Sequence, residues 1–176
     1  AFADSETMAQ ADSATAASWQ DQLEPLPLLR AQVLADAGRF EQAVGTYRQM
    51  SAARPDDVEL KRGLAAILME MGNEVEATAV YMEMMDMPGL DSETLFSIGV
   101  GFYQSGDYDN AAEAFGNAST ASVNDRDALE MWARSLQLDS AFAATPPVAE
   151  RWIGLDPNGQ NAWLILAQAA NQLEDT

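Results

Sequence analysis

Leu95, Ile98 and Phe102 recur at intervals of three and four residues, so they share one face of a helix. Asp91-Ser92-Glu93 stands just before them and supplies side-chain oxygens able to cap the first free backbone N–H groups. Gly106 follows where a helix C-terminus calls for a left-handed residue. A second helix then sets small Ala111 one turn before Phe115, so backbones approach at the alanine while the ring fills the space beyond. One such hairpin cannot bury its own apolar faces. It requires neighbours of the same kind.

The sequence supplies them. Gly38, Gly72 and Gly106 are spaced by 34 residues, as are Ala43, Ala77 and Ala111, and as are Tyr47, Tyr81 and Phe115. Pro55 and Pro157 lie three such periods apart. Coincident ladders at one stride of this length are the mark of stacked helical repeats. The run Ile98-Gly99-x-x-Phe102, then Ala111-x-x-x-Phe115, with Pro157 ending a later repeat, resembles the tetratricopeptide repeat (TPR) family. That resemblance implies an all-α, right-handed superhelix (α-solenoid) of about four helix–turn–helix repeats with a C-terminal capping helix. The register places the repeats at 24–57, 58–91, 92–125 and 126–159, with a variable segment over 1–23 and the cap over 160–176.

Deviations from the stride are local. Residues 1–20 are either disordered or an extra helix, for which Trp19 is the best argument for docking. Pro25 and Pro27 suit a first helical turn, and Pro55 ends the first repeat. The run Tyr81-Met82-Glu83-Met84-Met85-Asp86-Met87 reads as core filling, or as an adaptable apolar surface. In the fourth repeat, Leu129, Trp132 and Leu136 keep the first helix intact. Thr145-Pro146-Pro147 predicts a loop over about 139–145 and a short second helix starting near Pro147, since prolines break a helix interior. Trp163, Leu166 and Ala167 return to the register in the last helix, with Gln168, Asn171 and Gln172 wetting its outer face.

Composition narrows the chemistry. Cysteine and histidine are absent, which removes thiolate nucleophiles, disulfides, imidazole bases and the commonest zinc ligands. The 28 acidic residues outnumber 9 basic ones, for a net charge of −19. Such a surface repels phosphate backbones and anionic headgroups, against nucleic-acid binding, and no apolar run is long enough for direct membrane insertion. It suits either a solvated, salt-adapted exterior or a docking face for basic partners. On the salt-adapted reading the melting temperature rises with salt into the molar range, and a flat curve contradicts it. Ala1-Phe2-Ala3 resembles a mature end left after signal removal, an expectation of export to a periplasm or the exterior.

No nucleophile elbow or phosphate-cradling loop is present, and no catalytic, cofactor or metal residue is assigned. Asp107, Asp109 and Asn110 mimic the start of a calcium loop but lack its later ligands. In TPR proteins the first helices of successive repeats line a concave groove. By position this resemblance assigns to that groove Leu28, Gln32 and Asp36, then Arg62, Ala66, Met69 and Glu70. Phe96, Val100, Tyr103 and Gln104 follow, then Glu130, Arg134 and Gln137. Met69, Phe96, Val100 and Tyr103 would form an apolar patch flanked by Arg62 and Arg134, the residue types of binding hot spots. The cations that clamp a chaperone's C-terminal carboxylate in some members are missing at Leu28, Gln32, Ala66, Phe96 and Val100. The reading is a non-enzymatic adaptor or accessory subunit holding another protein's peptide or helix, as a monomer or in a hetero-complex. The alternatives are a permanent structural subunit packed by its edges or convex face and, remotely, an enzyme.

Overall fold

The computed structural model describes residues 25–174, so the expectations for residues 1–20 and Trp19 lie outside the described residues. Among the described residues there are nine helices and no strand. In chain order these are α1 (Pro25–Asp36), α2 (Phe40–Ala53), α3 (Val58–Glu70), α4 (Glu74–Met85), α5 (Ser92–Gln104), α6 (Tyr108–Ala121), α7 (Arg126–Leu138), α8 (Thr145–Leu155) and α9 (Gln160–Glu174). The chain divides within α3 into two compact units, one ending at Ile67 and one starting at Leu68.

The helix ends repeat as the glycine ladder requires. Gly38, Gly72 and Gly106 have φ of 69°, 73° and 78°. In each case the glycine N–H donates three residues back and the next N–H donates five back. At the first turn these bonds run from Gly38 to Ala35 and from Arg39 to Leu34, both at 2.8 Å. This pattern caps orphan carbonyls and needs a left-handed residue. Ser140 occupies the fourth rung with φ 62° and makes the same bonds, to Gln137 at 3.1 Å and, through Ala141, to Leu136 at 2.8 Å.

The helix starts carry a ladder of their own. Asp57, Asp91 and Asp125 accept from the backbone N–H three residues on, at 3.2, 2.8 and 3.0 Å. Asp107 does likewise for Asn110 at 3.4 Å and also holds its side-chain amide at 2.8 Å. The aspartates that mimic a calcium loop therefore include a helix cap.

In the first unit Ala31 and Leu34 of α1 and Ala43, Val44 and Tyr47 of α2 are buried, with Leu60 and Leu64 of α3. The Tyr47 ring lies so close over Gly63 that a Cβ there would stand 2.5 Å from it. The second unit repeats the device. Tyr81 of α4 covers Gly101 of α5, and Phe115 of α6 covers Gly99 on the same helix. Met84 is fully buried and Met85 packs beside Leu95, so the methionine run mostly fills core, with Met82 on the surface.

The fourth hairpin departs from expectation at its second helix, which begins at Thr145 rather than near Pro147. Both prolines fall in its first turn, where N–H groups have no helical partner to lose. Thr145 is buried and donates its hydroxyl to the Ala141 carbonyl at 3.3 Å. Trp152 of α8 then fills a core with Leu129, Ala133 and Leu136 of α7 and Ala162 and Ile165 of α9. Gln168, Asn171 and Gln172 are exposed as expected, but so are Trp163 and Ala167.

Candidate interaction cleft

In the second unit α5, α7 and α9 surround an open cleft of about 480 Å³. Tyr103 enters from the last turn of α5, and Arg134, Gln137 and Leu138 from α7. Phe142 comes from the loop after α7, and Gln168 and Gln172 from α9. Residues three and four apart on each helix face the same way, which is why these side chains converge. The Gln137 amide donates to Gln168 Oε1 at 3.1 Å and to the Ile165 carbonyl at 3.4 Å, tying α7 to α9 across the floor. The Tyr103 ring stands edge-on to Tyr108, centroids 5.4 Å apart, which holds it at the rim.

Arg134 pairs with Glu130 one turn back, at 2.6 Å, while its Nε is buried without a hydrogen-bond partner. Among the described residues that line the cleft there is no carboxylate beyond the Glu130 paired with Arg134 at its edge, although the chain carries 28 acidic residues. Three amides, a phenol and a guanidinium stand there beside the apolar surface of Tyr103, Leu138 and Phe142. Among the described residues no cluster of three or more metal-ligating side chains occurs, and no helix is long and apolar enough to cross a membrane.

The residues assigned from sequence distribute unevenly. Tyr103 and Arg134 share the cleft with Gln137. Phe96 is half-buried, edge-on to Phe115 at 5.2 Å, and opens on a separate recess with Ser92, Glu93, Asp125 and Asp127. Val100 is half-buried between them on α5, and Met69 is half-buried on the last turn of α3. Arg62 lies in the first unit, paired with Glu59. Leu138, Phe142, Gln168 and Gln172 are cleft residues not assigned from sequence. A further recess of about 380 Å³ on α6 and α7 is lined by Asp109, Glu113, Asn117 and Trp132 among others.

Residues 34–86 match the sequence model of the tetratricopeptide repeat family. No curated protein sequence matches the chain. Among solved structures, a crystal structure of MamA protein is 16% identical and superposes with a TM-score of 0.65, covering 83% of this chain and 80% of that one. MamA from Desulfovibrio magneticus RS-1, residues 41 to the end, is 15% identical with a TM-score of 0.62 and 85% coverage of both chains. YrrB, described as a TPR protein with an unusual peptide-binding site, is 13% identical with a TM-score of 0.63, covering 82% of this chain and 74% of its own. These likenesses show the fold, an all-α helical repeat solenoid.

Proposed function

We propose, from the premise that this chain is a tetratricopeptide repeat protein, that it is a protein-interaction module whose α5–α7–α9 cleft holds a peptide segment of a partner. The observation that carries this reading is a cleft whose described lining is apolar, amide and aromatic, with no aspartate or glutamate among it in so acidic a chain. It suits a segment with apolar or aromatic side chains, which would pack on Tyr103, Leu138 and Phe142. The amides of Gln137 and Gln168 are of the type that meets a backbone's N–H and C=O groups. Rings and an arginine at the centre of a patch are typical anchors. The peptide bound by YrrB is a property of that protein and supports this reading by fold alone. Phe96, Val100 and Met69 are proposed as further contacts within the second unit, and Arg62 as a separate contact within the first.

Selection of peptides from a random display library on the full chain tests the proposal. Selected peptides should be rich in apolar and aromatic residues, and Tyr103→Ala with Phe142→Ala should weaken them at least tenfold with the helical circular dichroism unchanged. Equal affinity for the double variant overturns the assignment.

A further inference from the structure

The junction of α6 with α7 departs from the one before it at two positions of the repeat. Gly116 stands where α4 carries Met82, and Trp132 stands where α5 carries Ile98. The two changes belong together sterically. The Trp132 ring lies against the α6 backbone, where a Cβ on Gly116 would stand 3.1 Å from its Cε2. Ile98 is fully buried, whereas Trp132 is only half-buried. The ring forms part of a recess of about 380 Å³. Buried Ala112 and Leu136 line it beside the ring, and exposed Asp109, Glu113 and Asn117 stand along its α6 side. Helices precede α6 and follow α7, so this recess is not opened by an end of the described residues.

Asp109 and Glu113 lie one turn apart on the same face of α6, where like charges repel. The helix dipole favours Asp109 in the first turn and fades before Glu113. Among the described residues neither carboxylate makes an ion pair. The three cations of the second unit, Arg126, Arg134 and Arg151, are engaged elsewhere. Arg126 pairs with Asp156 at 3.4 Å, Arg134 pairs with Glu130, and Arg151 donates to the Ser119 carbonyl at 3.4 Å. Residues 1–24 and 175–176, outside the described ones, contain no lysine or arginine. They lack the charge this recess calls for, and a second copy brings the same net −19. A metal ion is a poor match too, because among the described residues no three ligating side chains gather.

We propose that the α6–α7 recess receives an arginine side chain from a basic segment of a partner protein. Each part of the lining answers one part of that side chain. A guanidinium stacks on an indole while its fork of N–H donors meets carboxylates, and its aliphatic stem covers apolar surface such as Leu136 and Ala112. Lysine brings a compact, strongly hydrated charge and no plane to stack. Asn117, one turn beyond Glu113, has an amide of the type that meets the backbone of the same segment. The site shares no residue with the α5–α7–α9 cleft and does not rest on it.

The probe is a fluorescein-labelled peptide, Gly-Ala-Arg-Leu-Arg-Ala-Gly, titrated with the full chain and read by polarisation. Salt at about 0.15 M screens the long-range pull of the acidic surface. Asp109→Asn with Glu113→Gln, both at exposed positions, should weaken binding about fivefold or more with the melting temperature unchanged. Glu93→Gln with Asp127→Asn removes the same charge at the separate recess beside Phe96 and should change binding less than about twofold. Tyr103→Ala should leave it unchanged, and a lysine version of the peptide should bind more weakly. In nuclear magnetic resonance spectra, the indole N–H signal that Trp132→Phe removes should shift on adding the probe. Equal weakening by the two double variants would mean attraction to the overall charge and overturns the proposal. So do unchanged binding by the Asp109 and Glu113 double variant, equal affinity for the lysine peptide, or a stationary indole signal. Sedimentation showing a dimer that this double variant dissociates also overturns it, by making a second copy the occupant.

Discussion

Replacing Gly101 by alanine probes the seating of one hairpin on the next at a single atom. An added Cβ would stand 2.2 Å from Tyr81 Cε2 and 2.3 Å from Cζ. Carbon atoms in contact prefer about 3.5–4.0 Å. The ring would therefore have to retreat by more than about 1 Å, and it has little room. Tyr81 is 6% exposed, and its ring already meets Phe102 with centroids 5.7 Å apart. Overpacking of this kind costs about 3 kcal/mol at the upper end of the usual range. Better helix propensity returns about 1 kcal/mol. The net loss of about 2 kcal/mol should lower the melting midpoint, followed by circular dichroism, by roughly 4–8 °C for a chain of this size. Tyr81→Ala in the same chain should absorb most of the clash, so the double variant loses less than the two single changes added together. A neutral or stabilising Gly101→Ala, or strict additivity with Tyr81→Ala, would refute the claim that this ring sits on α5.

Three further outcomes follow from the ladders. Ser140→Gly removes about 1–2 kcal/mol of left-handed strain and gives back about 0.4–1 kcal/mol through a freer unfolded chain; urea titration should show a net gain, and a loss contradicts the capping role of φ 62°. Asp125→Ala removes the α7 cap and should cost about 1 kcal/mol, whereas Asp125→Asn should cost much less; equal losses would deny the cap. Burial raises the pKa of Tyr47 and Tyr81 above the ordinary 10.0. Above about pH 10 the unfolded chain thus releases protons that the folded chain keeps, so stability falls as pH rises. Tyr47→Phe with Tyr81→Phe should flatten that decline in alkaline urea titrations, and an unchanged slope would assign it elsewhere.

Much of this fold could be read in the sequence because the stride fixes which residues are equivalent. Gly38, Gly72 and Gly106 announced the turns, and the ring ladder announced the residues that cover glycine on neighbouring helices. The aspartate ladder at 57, 91 and 125 was equally visible, yet only its middle rung was read, because caps sit outside the apolar pattern. Ser140 showed no glycine, so its rung was legible by position alone. Pro146 and Pro147 were treated as an interior obstacle when the first turn could accept both.

The cleft was half legible. Helical spacing placed Tyr103, Arg134 and Gln137 on one face, but spacing says nothing of distances between helices. Phe96 shares a face with Tyr103 and still opens on a different, acidic recess. Phe142 stands in a loop, where no periodicity marks it, and Gln168 and Gln172 read as wet surface because an amide lining a cleft looks the same in sequence as one facing water. Trp163 keeps the register of Leu95 and Leu129, a position that is buried on α5 and α7. On α9 the same position is half-exposed, because among the described residues no helix follows to cover it.

The central claim is that a guest segment lies across α5, α7 and α9. Amide hydrogen exchange on the full chain, with and without a library-selected peptide, tests it most directly. Bound peptide should slow exchange in the last turns of α5 and α7, in the loop around Phe142 and along α9. Protection confined to the outer recess of Asp109, Glu113 and Trp132, with no change at the cleft, would contradict the account.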